Sequence, residues 1–233
     1  MDDLALFSTT GLLFILRWFH FFFGVIWIGL LYYFNFVQGA FFAETDANTK
    51  SNATQKLVPR ALWWFRWGAM FTFLTGWFTI FIEMNQTPGI LMSSWGVLIL
   101  IGAMLGTLMW ANVWFVIWPN QKIVIQNALQ MATGGQAIPG AADRGARATV
   151  ASRTNVLFSI PLLFFMGAAK HLPIIMSPDA KPHMPLGIIL IILLVLEANA
   201  LKGKTGPMTT IKGVIHCGFA LALVFYAIVE AVL

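Results

Sequence analysis

Histidine inside an apolar run is the clearest chemical signal in this chain. His20 sits in Arg17-Trp-Phe-His-Phe-Phe-Phe-Gly-Val-Ile-Trp-Ile-Gly-Leu-Leu-Tyr-Tyr33. An ionisable side chain within a membrane-length apolar segment marks a functional site by default. At 100° per residue, Arg17, His20, Gly24, Trp27, Leu31 and Gln38 fall on roughly one helical face. Gly24 leaves room one turn below His20 for a flat group. Arg17, one turn outward, is placed to pair with a haem propionate or an anionic substrate, or to snorkel to the headgroups. His216 lies in the last apolar run, about nine residues past Pro207. That is roughly 13 Å of helix rise, matching the depth of His20 from the opposite side. Two imidazoles at one depth are what a b-type haem takes as axial ligands, so His20 and His216 are the candidate iron ligands. Packing by hydrogen bonds to neighbouring helices is the alternative for each.

The other polar residues give less. His171 and His183 fall at the outer side, and two histidines do not complete a zinc or copper site. Asn112 and Asn155 are placed to bridge two spans. Glu197 is expected to pair with Lys202 or an arginine of the third connection, whereas Glu83 and Glu230 are expected to be solvated. The single Cys217 excludes a disulfide framework and any Cys-x-x-Cys-His haem attachment. There is no phosphate-cradling glycine loop, Ser-His-Asp set or His-Glu-x-x-His motif.

The elements that must position these residues are membrane helices. Hydrophobic residues make up 59% of the 233 and charged residues 10%, against about 25% charged in a soluble domain; mean hydropathy is +0.79. The chain reads as one all-α integral membrane domain, residues 1–233. It is expected to be a bundle of about six transmembrane helices near 10–34, 61–83, 93–118, 154–170, 185–200 and 209–232. Eleven of the 14 Lys and Arg lie in or beside the first, third and fifth connections. The positive-inside rule then puts both termini outside, on the periplasmic side of a bacterial inner membrane. This bias accounts for the net charge of +5 without a nucleic-acid partner. Residues 45–55 read as a solvated loop. Pro119–Met131 reads as an amphipathic cytoplasmic helix on the inner surface. Gly102-Ala-Met-Leu-Gly106 is a G-x-x-x-G step suited to close helix approach, and tryptophans 63, 64, 67, 95, 114 and 118 mark the interfaces.

Three stretches carry a family resemblance. They are Arg17-Trp-Phe-His20 through Gly24-Val-Ile-Trp-Ile-Gly-Leu-Leu-Tyr-Tyr-Phe-Asn-Phe-Val-Gln38, Met109-Trp-Ala-Asn-Val-Trp-Phe-Val-Ile-Trp-Pro-Asn-Gln-Lys122, and Ser152-Arg-Thr-Asn-Val-Leu-Phe-Ser-Ile-Pro-Leu-Leu-Phe-Phe-Met166. Together they resemble the membrane domain of bacterial cytochrome c-linked urate oxidases. The resemblance implies an inner-membrane oxidoreductase subunit that passes electrons to a c-type cytochrome. With no haem-attachment motif here, that cytochrome is expected to be a separate protein. The candidate haem b site is then His20, His216, Arg17, Gly24 and Trp27, and the lipid bilayer and other membrane subunits are the expected partners. From a different class, the chain also suits a cofactor-free accessory subunit packed against a larger membrane complex. A fainter similarity, carried by His20 and Trp27-Ile-Gly-Leu-Leu-Tyr32, is to small membrane protoporphyrinogen oxidases.

Overall fold

Hydroxyl caps set where several of the helices begin. In a computed structural model that describes residues 5–172 and 174–233, Ser8, Ser93 and Thr210 each accept the backbone N–H three residues on, from Gly11, Gly96 and Gly213. The glycine is needed each time. A Cβ there would lie 2.3 Å from the Ala5 carbonyl oxygen, 2.3 Å from that of Ile90, or 2.0 Å from that of Pro207. A short 3₁₀ turn before each helix brings those carbonyls in. The capped helices are α1 (Thr9–Tyr32), α5 (Ser94–Ala111) and α9 (Ile211–Val232). The others are α2 (Gly39–Glu44), α3 (Ala47–Lys56), α4 (Val58–Gln86), α6 (Trp118–Ala132), α7 (Ala141–His171) and α8 (His183–Lys202). The described residues contain no β-strand.

Two π-helical segments join helices end to end. Tyr33–Gln38 links α1 to α2, and Asn112–Ile117 links α5 to α6. Side-chain amides support the carbonyls in both regions: Asn35 Nδ2 donates to the Leu31 carbonyl at 2.9 Å, and Asn120 Nδ2 to that of Val116 at 2.7 Å. Here the structure corrects the expectation of a separate surface helix at Pro119–Met131. Ser94–Ala132 is one unbroken helical run of 39 residues. Pro119 falls in the first turn of α6, where a missing N–H is tolerated. The first run is likewise longer than the expected span, continuing to Glu44. The loop expected at 45–55 is instead helix α3. Asp46 caps it by accepting from the N–H groups of Asn48 and Thr49 at 2.9 and 3.0 Å.

Five helical runs are long and apolar enough to cross a membrane: Thr9–Glu44, Ser94–Ala132, Ala141–His171, His183–Lys202 and Ile211–Val232. Helix α4 has the length, 29 residues, but its tryptophans, threonines, glycines and arginines dilute its apolar content. α7 is central, packed against α5, α6, α8 and α9. Its Phe158 and Phe165 are fully buried, with Leu98, Ile101, Leu105, Ile189, Leu193 and Phe225. Between membrane helices such contacts stabilise by dispersion and close fit, since lipid is as apolar as leucine. The G-x-x-x-G step serves this seam: Met166 packs over Gly102 and Leu162 over Gly106. Outward-facing Phe14, Trp18, Phe21, Phe22 and Val25 on α1, and Ile191, Val195 and Leu223 on α8 and α9, form an apolar surface suited to lipid.

Candidate functional site

α1 and α4 form an antiparallel pair in which small residues of α4 meet α1. A Cβ on Gly68 would stand 3.2 Å from the Trp27 backbone nitrogen, and one on Gly76 would stand 2.9 Å from His20 Cε1. Gly68-x-x-x-Thr72-x-x-x-Gly76 is therefore a small-residue seam that lets the imidazole lie against the α4 backbone. The seam is written in the sequence of the second apolar segment, and it passes unnoticed beside the glycine pair of α5.

The hydrogen bonds of the pair decide which ring nitrogen of His20 is free. His20 Nδ1 lies 3.3 Å from Thr75 Oγ1. The Thr75 hydroxyl donates its one hydrogen to the Phe71 carbonyl at 2.6 Å. With that hydrogen on the carbonyl, the hydroxyl accepts from the imidazole, the arrangement in which Nδ1 carries the proton and Nε2 keeps its lone pair. Fixing one nitrogen through a hydrogen bond is how proteins orient a histidine for metal binding at the other.

The neighbours named from sequence have these places. Arg17 pairs with Glu83 of α4; the Arg17 side chain is half exposed and the Glu83 side chain 16% exposed. Glu83, expected in solvent, is thus the partner of Arg17. A Cβ on Gly24 would stand 3.9 Å from a methyl group of Thr72, an ordinary contact distance. Trp27 is 2% exposed, and its indole N–H has no hydrogen-bond partner. His216 is exposed on α9, which packs on α7 and α8. α1, α7 and α9 line an apolar groove of about 350 Å³ that includes Tyr32, Phe164 and Phe219. Tyr32 is twelve residues along α1 from His20. His20 is tied to α4, and His216 has no hydrogen bond or ion pair among the described residues. His171 and His183 are exposed. No group of three or more His, Cys, Asp or Glu converges among the described residues.

A second polar cluster lies where α5, α7 and α8 meet. Asn155 Nδ2 donates to the Met109 carbonyl at 3.0 Å, which turns its oxygen toward Asn112. Asn112 Nδ2 donates to Asn155 Oδ1 and to Glu197 Oε2, both at 3.0 Å. The bridge between Asn112 and Asn155 is as the sequence predicts. The expected pairing of Glu197 is not: its partner is Asn112, and no cation is within ion-pair distance among the described residues. Asn112 stands at the start of the π segment and is buried. Asn112 Oδ1 is buried with no partner. Nearby contacts also converge on α7: Tyr32 Oη lies 2.9 Å from Ser159 Oγ, and Asn35 Nδ2 donates to Ser152 Oγ at 2.7 Å.

A family model described as urate oxidase N-terminal matches residues 77–227, more than half of the chain. The chain belongs to this family. The match begins within α4 and runs through α9, so the Asn112, Asn155 and Glu197 cluster and His216 lie inside it, while His20 lies before it. No curated protein and no solved structure matches the chain.

Proposed function

We propose that this urate oxidase N-terminal family member is an inner-membrane subunit of an electron-transfer system, with a b-type haem ligated by His20. The observation that carries the reading is the contact of His20 Nδ1 with the Thr75 hydroxyl. Thr75 accepts from Nδ1, so Nε2 is the nitrogen with a free lone pair, in a helix long and apolar enough to cross a membrane. His20 and His216 are the residues that would hold such a group. The haem, when bound, supplies one-electron transfer between a substrate-side donor and a separate c-type cytochrome. The protein's own residues do the rest. Gly76 admits the imidazole, Thr75 holds its orientation, and the Arg17–Glu83 pair ties α1 to α4 one turn outward. In this reading α4 is the sixth span, so both termini face the periplasm and the basic connections face the cytoplasm.

The test is a reduced-minus-oxidised absorption spectrum of the purified protein. A b-type haem band is expected, together with reoxidation of the reduced protein by a soluble c-type cytochrome. A well-folded, colourless protein would overturn the haem reading and favour a cofactor-free accessory subunit. The lipid-facing apolar surface and closely packed helices suit that second role too.

A further inference from the structure

We propose that Glu197, with Asn112 and Asn155, forms a proton-binding site reached from the inner end of α8. The proposal does not rest on a haem. Glu197 interrupts the apolar run Gly187-Ile-Ile-Leu-Ile-Ile-Leu-Leu-Val-Leu-Glu197. It lies half-buried, five residues before α8 ends at Lys202. That is about 7.5 Å of helix rise from the end, short enough for exchange with water at the membrane surface.

Three features distinguish the cluster from a structural ion pair. First, the carboxyl accepts one hydrogen bond, at Oε2 from Asn112, leaving Oε1 without a partner among the described residues. Second, it faces no counter-charge. α5 and its π extension bring no titratable group to it; toward the same end of the bundle α7 carries Asp143, Arg144, Arg147 and Arg153, α9 carries Lys212, His216 and Cys217, and α8 itself carries Lys202. None of these cations is within 4.0 Å of the carboxylate, and the one ion pair among the described residues is Arg17–Glu83. Third, Asn112 Oδ1 is an acceptor without a donor, on a residue 1% exposed. Its orientation is locked, because Asn155 turns its oxygen toward Asn112 in order to donate to Met109. An unpaired carboxylate in an apolar bundle is costly, and taking up a proton removes that cost. The proton comes from water at the inner surface and goes to Oε1; Oε2 keeps the Asn112 hydrogen bond, so the site gains a proton without losing a contact.

The experiment is infrared difference spectroscopy of the full chain in lipid nanodiscs, stepped across pH. A protonated-carboxyl stretch is expected that moves down in deuterium oxide, disappears in Glu197→Gln and persists in Glu83→Gln. In Asn112→Ser the band moves to higher frequency, because the bond to Oε2 is gone. Circular dichroism of each variant establishes that it is folded. Identical pH-difference spectra for the wild type and Glu197→Gln would overturn the proposal, as would a band unmoved in Asn112→Ser. The carboxyl signal requires no colour, so a haem-free protein with this band refutes the haem reading and leaves the proton site standing.

Discussion

The α1–α4 pair and the α5–α7–α8 cluster handle polar groups in opposite ways. In the first, a histidine lies against glycine and threonine, with Nδ1 at the Thr75 hydroxyl. In the second, two asparagines lock each other and a glutamate into a chain of amide hydrogen bonds anchored on the Met109 carbonyl. Among the described residues, one arrangement leaves a ring nitrogen without a hydrogen bond; the other closes around its own members and leaves two oxygens open, Asn112 Oδ1 and Glu197 Oε1. The family match covers the cluster and omits α1. Mutations in the two regions should therefore have separable effects.

The largest separation is expected from Gly76→Val. The first added carbon already falls 2.9 Å from the imidazole, so the ring is displaced. The haem band is lost, while the Glu197 infrared signal remains. Thr75→Val is gentler, keeping the shape and removing the acceptor for Nδ1. It should shift the midpoint potential of the haem with little loss of haem content, a readout that packing alone would not move. On the other side, Asn155→Leu leaves Asn112 and the Met109 carbonyl without their partner. Interhelical hydrogen bonds in membranes are worth about 0.6–1.7 kcal/mol, so a modest fall in thermal stability is expected with the haem spectrum unchanged. Arg17→Gln should do less still, under about 1 kcal/mol, because a half-exposed ion pair is weakened by solvent.

The smallest effect lies outside both regions, at the cap of α3. Bonds from the Thr49 hydroxyl, and from the backbone N–H groups of Thr49 and Asn48, hold the Asp46 carboxyl below its ordinary value. A depressed carboxyl stabilises the folded cap above the unfolded aspartate pKa, and that contribution disappears as pH falls through the folded value. Amide chemical shifts of Asn48 and Thr49 should titrate together with a midpoint below that of a free aspartate, and this titration should vanish in Asp46→Ala.

The helical plan was legible because apolar runs of membrane length have few other uses. The glycine step of α5 was legible for the same reason: small residues four apart on such a run indicate contact. What escaped was set by tertiary context. The helix at 47–56 hid behind a polar composition, although Asp46 three residues before Thr49 is a capping signal. The two π segments leave no periodicity to read, and one of them carries the helix past Pro119. Glu83 and Glu197 look alike as acids near span ends, yet one meets Arg17 and the other an asparagine, a distinction set by packing between helices far apart in sequence. Thr75 escaped because a threonine in an apolar helix usually bonds its own backbone. It does so here as well, which leaves its oxygen to accept from His20.

The central claim is that His20 is an iron ligand, and haem content tests it most directly. Wild type, His20→Ala and His216→Ala, purified under one protocol and verified as folded by circular dichroism, should be assayed for protohaem by the pyridine haemochrome method. The account predicts haem in the wild type and loss of it in His20→Ala, with His216→Ala losing haem or changing its ligand-field spectrum. Equal haem in the wild type and His20→Ala, or none in a folded wild type, would contradict it.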